Sequence, residues 1–148
     1  MHIRRAEAGD IPAIHAILRQ VNDVHAALRP DLFHAGGTKY TQEELRAILA
    51  DGSRPVFVAD VGGRTVGYAF CVEKRGGTAT LYLDDLCVDE GWRRQGIAAA
   101  LFDAVTAYAK EREFYSVTLN VWAGNDGARA FYESRGMTVQ KTTMEKRV

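Results

Sequence analysis

Three runs rich in β-branched and aromatic residues, Val56–Val61, Thr65–Glu73 and Thr78–Val88, are separated by two glycine pairs, Gly62-Gly63 and Gly76-Gly77. Glycine reaches the positive φ values that tight hairpin turns demand, so each pair reads as a chain reversal. The middle of the chain is therefore expected to be an antiparallel meander. Whatever lies on either side must pack around that sheet.

The flanking segments have helical spacing. Ile3 to Ala6 reads as a short first strand. Asp10 reads as an N-cap, with Pro12 in the first turn, where a missing N–H costs little. Ile11, Ile14, Leu18 and Val21 then recur on one helical face, so a first helix is expected to about Ala27. An irregular loop, Arg29 to Gly37, follows. Thr41-Gln42-Glu43-Glu44 has the form of a capping box and opens a second helix through about Ala50.

After the meander the pattern alternates. A helix is expected over Gly96–Arg112, with Ile97, Leu101, Val105 and Tyr108 as its apolar stripe. A strand is expected over Tyr115–Val121, and a helix over Asn125–Arg135 stopped by Gly136. A last strand is expected over Met137–Val148. The order is β-α-α-β-β-β-α-β-α-β, an α+β fold with a mostly antiparallel mixed sheet flanked by four helices. No linker, repeat or low-complexity tract divides residues 1–148, so one domain is expected.

Charge narrows the partners. Lys plus Arg and Asp plus Glu both number 19, which gives no global pull toward nucleic acid or an anionic membrane. Any anion site must be local. Cys71 and Cys87 lie far apart without histidines at ligand spacing, so neither a zinc site nor a disulfide framework is expected, and no metal. Both sit in apolar runs and read as buried thiols. The N-terminus has no apolar h-region, and no 18-residue apolar stretch occurs, so a reducing cytoplasm is the expected setting.

The segment Leu81 to Lys110 carries the chemistry. An apolar strand runs through Asp89-Glu90-Gly91-Trp92 into Arg93-Arg94-Gln95-Gly96-Ile97-Ala98, where a long helix opens. Gly96 and Ala98 let a ligand approach the backbone closely. The first helical N–H groups have no intrahelical acceptor, and with the helix dipole they form an anion site. Arg93 and Arg94 add charge-assisted hydrogen bonds. A phosphate or pyrophosphate is the predicted ligand. Two solvated arginines at an ordinary helix start are the alternative. The Walker pattern Gly-Lys-Ser/Thr is absent, and so is the full dinucleotide glycine fingerprint.

Arg93-x-x-Gly96-x-Ala98 between strand and helix resembles the acetyl-coenzyme A signature of the GCN5-related N-acetyltransferase superfamily. A second block, Asn125-Asp126-Gly127-Ala128-Arg129-Ala130-Phe131-Tyr132-Glu133-Ser134-Arg135-Gly136-Met137, resembles that family's N-x-x-A-x-x-F/Y-Y-x-x-x-G-F block. Its one departure is Met137 for Phe. The element order is also similar throughout.

The resemblance implies a set of roles. Backbone groups of Leu86, Cys87 and Val88 would hold pantetheine as an added strand. The amides from Arg94 through Gln95, Gly96, Ile97 and Ala98 to Ala99 would take the pyrophosphate, with Arg93 and Arg94 beside them. Asn125 would touch the pantetheine arm. Tyr132 would be the general acid that protonates the coenzyme A thiolate, its alternative role being core packing beside Phe131. The strand Leu81–Val88 is similar to that of diamine acetyltransferases, which implies Asp84 as the residue that binds or deprotonates the amine, directly or through water. Strand alternation would send Asp84 and Asp85 to opposite faces unless a bulge intervenes, and structural use of either remains the alternative. His25, Asp31, Phe33, Tyr40 and Trp122 could line an acceptor site, although Arg29 and Asp31 could equally bond locally.

Implied overall is direct acetyl transfer from acetyl-CoA to a primary amine, most simply a small molecule. A protein N-terminus or lysine is a second acceptor class, and a non-catalytic acyl-CoA sensor a third reading. The resemblance further implies a homodimer through the C-terminal region of the sheet.

Overall fold

The computed structural model describes residues 1–148. Five strands form one sheet in chain order: β1 (His2–Arg5), β2 (Val56–Val61), β3 (Arg64–Lys74), β4 (Thr80–Val88) and β5 (Ser116–Thr118). The first four pair antiparallel, and β5 joins β4 in parallel. The four helices are α1 (Ile11–Leu28), α2 (Gln42–Ala50), α3 (Ile97–Glu111) and α4 (Asp126–Ser134).

The two faces of the sheet carry separate cores. α1 buries Ile11, Ile14, Ile17 and Leu18, and α2 buries Leu45 and Ile48, against Val56, Val58, Tyr68 and Phe70. On the opposite face α3 buries Ile97, Leu101, Phe102, Val105 and Tyr108 against Ala59, Val66, Ala69, Leu81 and Leu83. Both stripes follow the 3.6-residue period read from the sequence. β3 and α3 come together at Gly67, where a Cβ would meet Cys87 O and Leu101 Cδ1 at 3.1 Å.

The capping box at α2 forms as expected: Glu44 N donates to Thr41 Oγ1 (3.1 Å), and Thr41 N donates to Glu44 Oε1 (3.0 Å). Asp10 behaves differently. It precedes α1 but makes no side-chain cap. Its carboxylate turns inward to Arg4, held at 2.9 Å on both oxygens, and to the Thr65 hydroxyl at 2.6 Å and the Glu7 amide at 2.7 Å. Burial alone would raise this carboxyl, but those donors outweigh burial and hold it at about 2. A buried bidentate ion pair satisfies the carboxylate better than one helix amide, so Asp10 ties β1 to β3 instead of capping.

The end of the chain departs from expectation. β5 is three residues long rather than seven, and residues 135–148 form neither helix nor strand. A strand requires a ladder partner. The backbone bonds from this tail that reach back past its own start are those of Arg135, Gly136 and Met137 to Tyr132 and Glu133 at the end of α4, and its side chains from Thr138 onward are exposed. No residue from Tyr115 to Val148 is buried.

Candidate active site

Pairing of β4 with β5 stops at Tyr82 opposite Thr118, and from Leu83 to Val88 strand β4 has a neighbour on one side only, β3. The backbone edge of Leu86, Cys87 and Val88 away from β3 is therefore covered by no strand. An extended chain of amides can lie there by β-addition.

At the end of β4 a single turn, Glu90–Trp92, leads into the start of α3. Arg94 (φ 63) and Gly96 (φ 77) both adopt left-handed backbone. Alternating left- and right-handed residues turn successive N–H groups to one side, which makes an anion-binding concavity. The amides from Arg94 to Ala99 find no acceptor within the protein, and no side chain caps α3. Arg94, Gln95 and Gly96 are exposed around this cradle, and Ile97 anchors it in the core. Arg93 serves it less directly, because its Nε donates to Val88 O at 3.3 Å and pins the turn to the strand. The donor set fits a pyrophosphate.

At the start of α4, Asn125 Oδ1 accepts from Ala128 N at 3.3 Å and caps the helix, while its amide nitrogen has no protein partner. Tyr132 packs against Phe102 and Phe131, with ring centroids 5.7 and 5.1 Å apart. Its hydroxyl makes no hydrogen bond to protein. Burial, and the charge of Asp85 second, hold this phenol well above its ordinary value, so it is a proton carrier at neutral pH.

The two aspartates of β4 are separated by the strand's own irregularity. Asp85 lies opposite Phe70 and Leu83 opposite Cys71, which leaves Asp84 as the extra residue of a bulge. The bulge breaks the alternation, so both carboxylates lie on the α1–α2 side. Asp84 is fully engaged: Lys39 Nζ donates to Oδ1 at 2.9 Å and the Tyr40 hydroxyl to Oδ2 at 2.6 Å. Asp85 accepts from the Tyr68 hydroxyl at 2.9 Å. Burial pushes its carboxyl up to about 6, against the lowering effects of Lys39 and Tyr68. Its charge in turn adds to the rise of Tyr132, Tyr68 and Cys87, after burial in each case. Burial also holds Cys71 and Cys87 as thiols, at about 12 and about 11.

The remaining sequence candidates gather near the loop between α1 and α2. His25, Phe33 and Trp122 form a mutual aromatic cluster, with centroids 5.1 Å (His25–Phe33), 5.3 Å (Phe33–Trp122) and 6.3 Å (His25–Trp122) apart. Burial, with Lys39 second, lowers the His25 ring below its ordinary value and keeps it neutral. Asp31 is bound by both ends of the Arg29 guanidinium, at 2.9 and 2.8 Å, which is the local bonding foreseen as its alternative. Sequence reasoning did not find Lys39 or Tyr68. Lys39 lies in a loop 45 positions from Asp84, and Tyr68 reads as one more aromatic in a strand. No group of three or more His, Cys, Asp or Glu side chains is placed to hold a metal ion. No helix is long and apolar enough to cross a membrane.

Comparison with known proteins identifies the family. Residues 21–137 match the model of the acetyltransferase (GNAT) family, and the chain belongs to that family. An uncharacterized N-acetyltransferase of Methanocaldococcus jannaschii is 34% identical over 87 residues, 54% of this chain and 37% of the relative. One from Mycobacterium tuberculosis strain H37Rv is 34% identical over 94 residues, 64% of this chain and 59% of the relative. The aligned segments thus span well under two thirds of those relatives. Among solved structures, a tetramutant of the BH1408 protein from Bacillus halodurans superposes with a TM-score of 0.92 at 29% identity, covering 100% of both chains. An aminoglycoside acetyltransferase from an uncultured soil metagenomic sample shares the fold with a TM-score of 0.74 at 23% identity, covering 99% of this chain and 94% of its own.

Proposed function

We propose that the protein moves the acetyl group of acetyl-CoA directly to a primary amine on a small molecule. The observation that carries this reading is the row of free amides at the start of α3, following a β4 edge that no strand covers. A six-amide cradle stands at the start of α3, just past the strand whose edge is unpaired, and the charge of Asp85 on that strand adds to the rise of the Tyr132 phenol.

Acetyl-CoA is a substrate in this scheme. Its pyrophosphate suits the Arg94–Ala99 amides, and its pantetheine arm suits the Leu86–Val88 edge and the Asn125 amide. The amine attacks the thioester carbonyl while Asp85 takes its proton. An aspartate near 6 is ionised at neutral pH and is a stronger base than an ordinary carboxylate. A backbone N–H at the end of β4 stabilises the oxyanion. The C–S bond then breaks, and the Tyr132 hydroxyl gives its proton to the departing sulfur. Holding both reactants in one cleft supplies much of the acceleration. Asp85 replaces Asp84 as the proposed base, because Asp84 has both oxygens committed. A relay through cysteine is disfavoured, since Cys87 stays a thiol near neutrality.

Transfer to a protein N-terminus or lysine uses the same chemistry and is the second reading. A homodimer belongs to the same proposal. The absence of any buried residue beyond Phe114 and the free edge of β5 are surfaces that a second copy would cover. Sedimentation at micromolar concentration is expected to give twice the chain mass, and a monomer mass would end that part. Two free thiols, one fully buried, suit a reducing cytoplasm.

The test of function is coenzyme A release across polyamines, aminoglycosides, amino acids and N-terminal peptides. Turnover with a small amine is expected, together with a rise in Tm when acetyl-CoA is added. Binding of acetyl-CoA with no release by any amine would favour the sensor reading. No rise in Tm at all would remove the coenzyme site.

A further inference from the structure

The charge around β4 is unusual for a site that receives a cation. Asp84 and Asp85 are adjacent and on one side of the sheet, a pattern suited to two ammonium groups. Yet Lys39 Nζ already sits on Asp84, 2.9 Å from Oδ1 and 3.3 Å from its carbonyl oxygen. The Tyr40 hydroxyl closes the second carboxylate oxygen at 2.6 Å. Behind it, Arg54 Nη2 donates to the Tyr40 oxygen at 3.0 Å and adds a further positive charge to the network. Asp85 has only the neutral Tyr68 hydroxyl as a side-chain hydrogen-bond partner. The neighbouring wall adds no free anion, because His25, Phe33 and Trp122 are rings and Asp31 is bound by Arg29.

Resting on acetyl transfer to a small amine, we infer that Lys39 is a specificity-determining residue. Its tethered ammonium occupies the place on Asp84 that the second ammonium of a diamine would need, and it restricts the acceptor to amines with one positive charge. The incoming ammonium is left Asp85, a carboxylate with no cationic hydrogen-bond partner, which is also the proposed base that deprotonates it. A second cationic group on the acceptor would meet Lys39 instead of a carboxylate, and like-charge juxtaposition in a partly desolvated cleft is costly. The structure thus separates this chain from the diamine enzymes that its β4 sequence resembles. The aspartate pair is present, but the first of the two is internally neutralised.

The experiment compares kcat/KM for butylamine, putrescine (the diamine of the same chain length) and spermidine, in the full chain and in Lys39→Gln and Lys39→Arg. Wild type is expected to favour butylamine over putrescine by about tenfold or more. Lys39→Gln opens Asp84 and is expected to lower that ratio by about tenfold, while Lys39→Arg, which keeps the charge, preserves it. A merely structural role for Lys39 would change turnover of all three amines together and leave the ratio where it was. The inference is overturned if wild type uses putrescine or spermidine as well as butylamine, or if Lys39→Gln leaves the ratio unmoved. Either result leaves acetyl transfer standing. Failure of every amine to release coenzyme A, despite acetyl-CoA binding, removes the transfer reading and this inference with it.

Discussion

Asp85→Asn is expected to lower kcat by a factor of about 10² to 10³ and, at pH 8, to raise the melting temperature. Both effects follow from one buried carboxylate. Its value of about 6 in the folded state lies above the 3.8 of an exposed aspartate. Between those values the folded chain binds more protons than the unfolded one, so stability falls as pH rises through the window. Above pH 6 the charged form costs the fold on the order of 3 kcal/mol. The asparagine removes that cost and still accepts the Tyr68 hydroxyl bond, but it cannot take a proton. At pH 4, where Asp85 is mostly protonated, the two melting temperatures should nearly coincide. The wild-type rate should fall below about pH 6 as the base protonates. A variant that keeps wild-type turnover would show that Asp85 is structural. Loss of stability at pH 8 would contradict the account of its burial.

Tyr132→Phe tests the other half of the proton path. The ring packs on Phe102 and Phe131 while the hydroxyl has no protein partner, so its removal disturbs little structure. The melting temperature should change by less than a few degrees. The chemical step should slow by about 10², with the KM for acetyl-CoA nearly unchanged, because in the proposed mechanism the hydroxyl acts on the departing sulfur and not on the ground state. An acyl donor with a more acidic thiol needs less help to leave and should recover part of the loss. Unchanged turnover would reduce Tyr132 to a packing residue.

Much of the fold was legible because it rests on local signals. The glycine pairs placed the hairpins, the spacing of Ile11, Ile14 and Leu18 placed α1, and Thr41 with Glu44 placed the start of α2. Asp10 was misread because its partners, Arg4 and Thr65, come from other strands, and no local rule weighs a tertiary ion pair against a cap. The last strand was misread for a related reason. Residues 137–148 have strand-like composition, but a strand exists only where another strand offers hydrogen bonds.

The site divided in the same way. The cradle from Arg94 to Ala99 is a property of one helix start and could be read from six residues. The distinction between Asp84 and Asp85 could not, since it depends on a bulge and on Lys39, Tyr40 and Tyr68 arriving from distant parts of the chain. The sequence reading named the bulge as the condition that would decide the matter. Only the register of β3 against β4 met that condition.

Direct transfer of acetyl from acetyl-CoA to an amine leaves no acetyl group on the protein at any stage. Mass spectrometry of protein and acceptor after a single turnover with butylamine tests this. The prediction is N-acetylbutylamine in an amount equal to the coenzyme A released, with the protein chain unmodified throughout. Coenzyme A released without amide, or an acetyl group held on Cys87 before the amine is added, would contradict it.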